Sequence, residues 1–177
     1  MVYPSLMKRS LLTSFLAAVG LPISMNAEPL TAGAPAPEIS AMDQDGKTVE
    51  FKSIYAKGAT LVYFYPKSDT PGCTKQACSL RDDWSALQGK NIQVIGVSGD
   101  GAESQKQFQE KYKLPFTLIA DSDSKVAVAF GVPLQGNIAA RQSFLIKDGK
   151  VVWTMPKAST ASHAQDVLKA YDELSKG

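Results

Sequence analysis

Two cysteines, Cys73 and Cys78, are the only thiols in this 177-residue chain, and they stand five residues apart. The segment around them reads Pro66-Lys-Ser-Asp-Thr70-Pro-Gly-Cys73-Thr-Lys-Gln-Ala-Cys78. Ser68 to Gly72 is a dense loop signal. From Cys73 onward the pattern turns helical, with Ala77, Leu80, Trp84 and Leu87 recurring at three- and four-residue spacing. A cysteine in a first helical turn lies beside unpaired backbone N–H groups and the positive end of the helix dipole. Both favour an anion, and the thiolate is the form of cysteine that attacks. Thr70, three residues earlier, offers a hydroxyl at the mouth of that turn, either to the reacting atoms or as a helix cap. Pro66 either shields the sulfur from water or simply ends a strand.

The spacing carries its own argument. In an intact helix, five residues give a rise of about 7.5 Å and a rotation of about 140°, which sets the two Cα atoms roughly 8 to 9 Å apart. Disulfides rarely tolerate more than about 7 Å. The two sulfurs therefore bond only if the helix unwinds locally, which suits a redox switch better than a permanent staple. The spacing also differs from the Cys-x-x-Cys of dithiol reductases. Two other classes stay open on the residues alone. A binding module stapled by an inert Cys73–Cys78 bond is the ordinary reading of two cysteines in an oxidising compartment. A copper carrier would use both thiolates with His163, a donor set that suits Cu(I). Otherwise His163, the only histidine, reads as structural or exposed, without a catalytic role.

The elements that must position these residues follow from patterning. Ile39 to Met42 and Thr48 to Phe51 flank Asp45-Gly46 and predict a β-hairpin. Thr60 to Tyr65 is a continuous apolar, β-branched and aromatic run, the pattern of a central strand covered on both faces. Ile92 to Val97 and Thr117 to Ala120 predict further strands, and Ser104 to Tyr112 and Lys125 to Phe130 predict helices. Ser143 to Ile146 and Val151 to Thr154 predict a second hairpin, and Ser162 caps a last helix through Leu174. Alternating strands and helices with flanking hairpins give an α/β domain, a mixed sheet with helices on both faces. Trp84 and Trp153 fall at apolar periodic positions and are expected in the core. Asp121 and Asp123 read as a turn and helix cap, and Gly96 to Asp100 as a strand-to-helix turn.

Residues 1–27 read as a cleaved export signal. Lys8 and Arg9 precede the apolar run from Leu11 to Ile23, and Ala27 is a plausible last residue before cleavage. The run is shorter than the roughly 20 apolar residues of a spanning helix, so an uncleaved tether ranks second. Glu28 to Pro37, rich in Pro, Ala and Gly, reads as a linker, and residues 38–177 as one domain. The net charge is +2, and residues 28–177 hold 17 basic and 17 acidic side chains. That neutrality argues against nucleic-acid binding and against stable membrane association after processing.

The run Phe64-Tyr-Pro-Lys-Ser-Asp-Thr-Pro-Gly-Cys-Thr-Lys-Gln-Ala-Cys-Ser-Leu-Arg-Asp82 resembles the active site of the Q-type peroxiredoxins, the bacterioferritin comigratory proteins. The likeness extends to Asp45-Gly46-Lys47, Ile95 to Ser98, Leu118 to Asp121, Phe130-Gly-Val132 and Arg141 to Ile146. It implies a thioredoxin-like (peroxiredoxin) fold without metal or organic cofactor, and a peroxidase reducing hydrogen peroxide and organic hydroperoxides. Under it Cys73 is the peroxidatic nucleophile and Cys78 the resolving cysteine. Thr70 hydrogen-bonds peroxide and thiolate, Arg141 stabilises the negative charge, and Pro66 limits solvent access. Without the resemblance Arg141 reads as a solvated charge before a strand. A thioredoxin-like dithiol recycles the disulfide, and the enzyme is a monomer or weak dimer. The family is mostly cytosolic, so a periplasmic or secreted member implies an exported thioredoxin-like reductant. Gln142-Ser-Phe-Leu-Ile-Lys147 also departs from the more usual Ser-Thr-Phe-Leu-Ile-Asp after the arginine.

Overall fold

A computed structural model describes residues 28–176, so the expected export signal lies outside the described residues. The apolar run forms β3 (Ala59–Phe64), whose six residues are all buried. Its odd-numbered Leu61 and Tyr63 join one hydrophobic cluster and its even-numbered Val62 and Phe64 the other. The two-residue period of a strand thus divides one sequence between two cores. Parallel to β3 runs β4 (Ile92–Ser98), and β5 (Thr117–Ala120) runs parallel to β4. On the other side β8 (Ser143–Lys147) is antiparallel to β3, and β9 (Lys150–Met155) antiparallel to β8. The order is β5-β4-β3-β8-β9, the mixed sheet expected.

The cluster on the Tyr63 face is closed by α2 (Pro71–Asp82), α3 (Trp84–Gly89), α4 (Ala102–Tyr112) and α6 (His163–Leu174). The opposite cluster takes Phe51 from α1 (Phe51–Tyr55) and Val126 and Ala127 from α5 (Lys125–Ala129). Trp84 and Trp153 pack against the first cluster. Among the described residues no helix is long and apolar enough to cross a membrane.

Both edges of the sheet are covered by the N-terminal part of the chain. The hairpin of β1 (Ser40–Met42) and β2 (Thr48–Glu50) lies at the β5 edge, where Asp43 bridges Ile119 and Gln44 Oε1 accepts the Leu118 N–H at 2.9 Å. At the β9 edge runs the segment whose composition reads as a linker, and it is docked. Gly33 N–H donates to the Val151 carbonyl at 2.8 Å, Ala36 N–H to that of Gly149 at 2.9 Å, and Val151 N–H to that of Ala34 at 2.9 Å. Pro and Gly lack regular-structure propensity, but an edge strand supplies partners to any extended backbone beside it. Gly131 makes the crossing feasible. It adopts φ +65°, and a Cβ there would fall 2.0 Å from the Glu28 carbonyl oxygen.

Local readings shift in four places. Phe51 opens α1 instead of ending the hairpin. The helical run from Cys73 to Leu87 breaks at Asp83 into α2 and α3. A two-residue-per-strand hairpin, β6 (Leu134–Gln135) with β7 (Ile138–Ala139), is too short to carry a period. Ser162 stands at the start of α6, but its hydroxyl donates to the Asp166 carboxylate at 2.9 Å and its oxygen accepts no capping N–H of the helix. Asp121 does cap α5, accepting the N–H groups of Val126 and Ala127 at 2.9 Å each.

Candidate active site

The chain leaves β3 at Tyr65 and enters α2 at Pro71, and the loop between them is braced at two points. Ser68 N–H donates to Asp100 Oδ2 at 2.7 Å, and Ser98 Oγ donates to the same oxygen at 2.7 Å. The Tyr65 hydroxyl donates to Gln105 Oε1, which also accepts Ser68 Oγ at 3.1 Å. Asp69 turns the chain with φ 57°, and its carboxylate accepts Lys111 Nζ at 2.7 Å and the Tyr112 hydroxyl at 2.6 Å. Those two partners hold the Asp69 carboxyl below its ordinary range. Pro66 stands half-buried at the exit of the strand.

Thr70 is the N-cap residue of α2 and Pro71 its first residue, so Cys73 lies in the first turn. Pro71 has no N–H to leave unpaired, and its fixed φ suits that position. The Thr70 hydroxyl neither caps the helix nor turns to the sulfur; it donates to the Lys67 carbonyl at 3.0 Å. Cys73 is 1% exposed, whereas Cys78, five residues along the same unbroken helix, is half-buried. Both are free thiols, so this is the reduced, helical form.

Arg141 comes to this turn from the connection before β8. Its strand partner fixes it there, because the next residue, Gln142, accepts the Phe64 N–H at 2.7 Å through its carbonyl. One guanidinium nitrogen donates to Cys73 Sγ at 3.3 Å. The other donates to Gln76 Oε1. A planar fork donates to the two acceptors from two nitrogens in fixed positions, whereas an ammonium has only one nitrogen to share between them. Gly72 leaves the space, since a Cβ there would meet the guanidinium at 3.3 Å.

Sequence reasoning missed the residues behind Arg141. Gln76, fully buried, donates its amide N–H to His163 Nδ1 at 3.2 Å. His163 Nε2 in turn meets Ser143 Oγ at 2.9 Å. Gln76 was legible in principle, one turn after Cys73 on the same helix face. His163 comes from a helix 87 residues further on, and nothing local signals it. Burial, and then the Arg141 charge, push His163 down to about 3 from its ordinary 6.5.

This shift predicts acid sensitivity. Between pH 6.5 and 3 the unfolded chain binds a proton at His163 and the folded chain does not, so stability falls as the pH is lowered through that window. The full span is worth roughly 5 kcal/mol at most. Thermal melts of the wild type and of His163→Leu at steps from pH 7 to pH 4 should show the steeper acid loss in the wild type. Parallel slopes would show that His163 is not held neutral.

The AhpC/TSA family model matches residues 32–154. Peroxiredoxin Q of Sedum lineare is 42% identical over 149 residues, covering 82% of this chain and 80% of that protein. Peroxiredoxin Q of rice (Oryza sativa subsp. japonica) is 43% identical over 125 residues, 70% of this chain but 57% of its own length. The chain thus spans little more than half of the rice relative. Both plant proteins are named as chloroplastic. Among solved structures, the bacterioferritin comigratory protein of Xanthomonas campestris, studied for its alkyl peroxide reduction activity, superposes with a TM-score of 0.73. It is 26% identical and covers 81% of this chain and 99% of its own.

Proposed function

The chain belongs to the AhpC/TSA family, in its peroxiredoxin Q branch, and from that premise we propose that it is a thiol peroxidase with Cys73 as nucleophile and Cys78 as its resolving partner. One observation carries the reading: the Arg141 guanidinium nitrogen 3.3 Å from Cys73 Sγ in the first turn of a helix. A sulfur in that place faces a permanent cation and the positive end of a helix, which attract the negative charge that passes from sulfur to the leaving oxygen during attack.

In the first step the Cys73 thiolate attacks the terminal oxygen of a hydroperoxide. The O–O bond breaks, the sulfur becomes a sulfenic acid, and the other oxygen leaves as alkoxide or hydroxide and takes a proton. Negative charge moves from sulfur to the leaving oxygen, and a fixed guanidinium beside both attracts it throughout. The Thr70 proton is committed to Lys67, so in this reading the hydroxyl takes part by accepting the peroxide's own O–H through a lone pair. In the second step α2 unwinds, the Cys78 sulfur displaces water from the sulfenic acid, and the disulfide forms. A thioredoxin-like dithiol then reduces it by exchange. The chemistry needs no metal or organic cofactor. The reading extends to hydrogen peroxide and organic hydroperoxides; the alkyl peroxide activity of the Xanthomonas relative supports the latter. It also includes an export signal in residues 1–27, an exported thioredoxin-like reductant and a monomer or weak dimer.

The copper-carrier alternative is weakened by His163, because both of its ring nitrogens are taken by Gln76 and Ser143. A single mixing experiment tests the peroxidase reading against the others. Reduced protein with one equivalent of hydrogen peroxide should lose both thiols within seconds. Tryptophan fluorescence should change in step, since Trp84 opens the helix directly after α2 and packs at 5.8 Å against Phe116. Thiols that survive the mixing would exclude the peroxidase.

A further inference from the structure

Behind the guanidinium lies a chain of hydrogen bonds whose polarity is set from the Arg141 end. Arg141 can only donate, so the Gln76 atom facing it must be the carbonyl oxygen. The other end of that carboxamide is then its NH2 group, which also can only donate. His163 Nδ1, 3.2 Å away, must therefore be an unprotonated acceptor. Neutral imidazole then carries its proton on Nε2 and donates it to Ser143 Oγ at 2.9 Å. The order is Arg141 to Gln76 to His163 to Ser143, each group donating to the next.

The site is built for this one arrangement. His163 is fully buried at the first position of α6, and Tyr63 stands edge-on against its ring at 5.6 Å. Gln76 is fully buried on α2, and Ser143 is fully buried in β8. Three elements distant in sequence thus meet behind Cys73. We infer that His163, as the neutral Nε2–H tautomer, is a positioning residue: it accepts the Gln76 amide N–H in the one carboxamide orientation that Arg141 allows, anchors that side chain from behind, and through it holds the guanidinium on Cys73. An amide flipped end for end would turn NH2 against the guanidinium, donor against donor, and push Arg141 off the sulfur. The held neutrality of His163 fits this, because an added proton on Nδ1 would face the Gln76 NH2 and favour the flip.

The inference rests on Cys73 being the reactive thiol, and its test needs no peroxide. His163→Leu removes the acceptor that anchors Gln76, and the alkylation rate of Cys73 by iodoacetamide, followed by peptide mass mapping of the full chain, should fall about ten- to a hundredfold. Adding Gln76→Glu should restore most of the lost rate, because a carboxylate offers an oxygen to Arg141 whichever way it is turned. A merely structural role for His163 would not be rescued in that way. His163→Asn, which keeps an acceptor near Nδ1, should lose less than His163→Leu.

A second readout is independent of these histidine substitutions. The chain holds one histidine, so ¹⁵N–¹H correlation spectra of the untagged protein report its tautomer alone. The wild type should show Nε2–H, and the single Gln76→Glu variant should move the proton to Nδ1. The inference is overturned by an Nδ1–H or doubly protonated ring in the wild type, by wild-type alkylation in folded His163→Leu, or by failure of Gln76→Glu to rescue it. If alkylation follows the expected order but the wild type ignores hydrogen peroxide, the positioning chain stands and the peroxidase reading falls.

Discussion

Replacing Arg141 with methionine is expected to slow the reaction of Cys73 with hydroperoxide by about two to three orders of magnitude, while leaving the fold in place. Methionine has similar length and reach but neither charge nor N–H donors. The sulfur loses its partner at 3.3 Å, and Gln76 Oε1 is left without its guanidinium donor in a buried position. The attacking sulfur and the leaving oxygen both lose the same cation, which is why the loss exceeds that of an ordinary hydrogen bond. Arg141→Lys should fall between the two. It keeps the charge, but an ammonium is not a planar fork that reaches sulfur and carboxamide together. The measurement is the second-order rate constant for thiol loss after rapid mixing, with a thermal melt as the control for folding. A methionine variant as fast as the wild type would show that Arg141 is misassigned and that its contact with the sulfur is incidental.

The second large effect separates the two cysteines. Cys73→Ser should abolish peroxide consumption, because a serine hydroxyl does not ionise near neutrality and forms no sulfenic acid. Cys78→Ser should still consume one equivalent. The sulfenic acid then has no partner, and excess peroxide should drive Cys73 to the sulfinic acid, detectable by mass spectrometry. Equal, partial losses in both variants would contradict this division of labour. The packing of α2 accounts for why resolution needs a structural change. Its two thiols cannot meet while the helix is intact. Its middle is tied to α6 by Gln76 and by Ser79, whose Oγ accepts the Ala164 N–H at 3.2 Å. Its far end is tied to α4, where Arg81 donates to the Tyr112 carbonyl at 2.9 Å.

Much of this protein was legible in the sequence wherever the cause is local. The all-buried β3 follows from an unbroken apolar run, and the position of Cys73 in a first turn follows from a loop rich in turn formers before a helical period. The hairpin at Asp45-Gly46 and the cap at Asp121 likewise follow from residues within a few positions of one another. The distance barrier between Cys73 and Cys78 needs nothing beyond helix geometry. What tertiary structure alone decided is what depends on partners far away along the chain. Whether Arg141 is a solvated charge or a clamp on Cys73 turns on an antiparallel pairing of β8 with β3 that no local pattern encodes. Whether residues 28–37 tether or dock turns on an open edge of β9 more than a hundred residues later in the chain. His163 carried no signal at all, because its neutrality and its hydrogen-bond direction come from burial against Gln76 and Ser143. The physical reason is common to all three. Propensity, period and capping act within a turn or two of chain, whereas desolvation and charge placement are set by whatever the folded chain brings into contact.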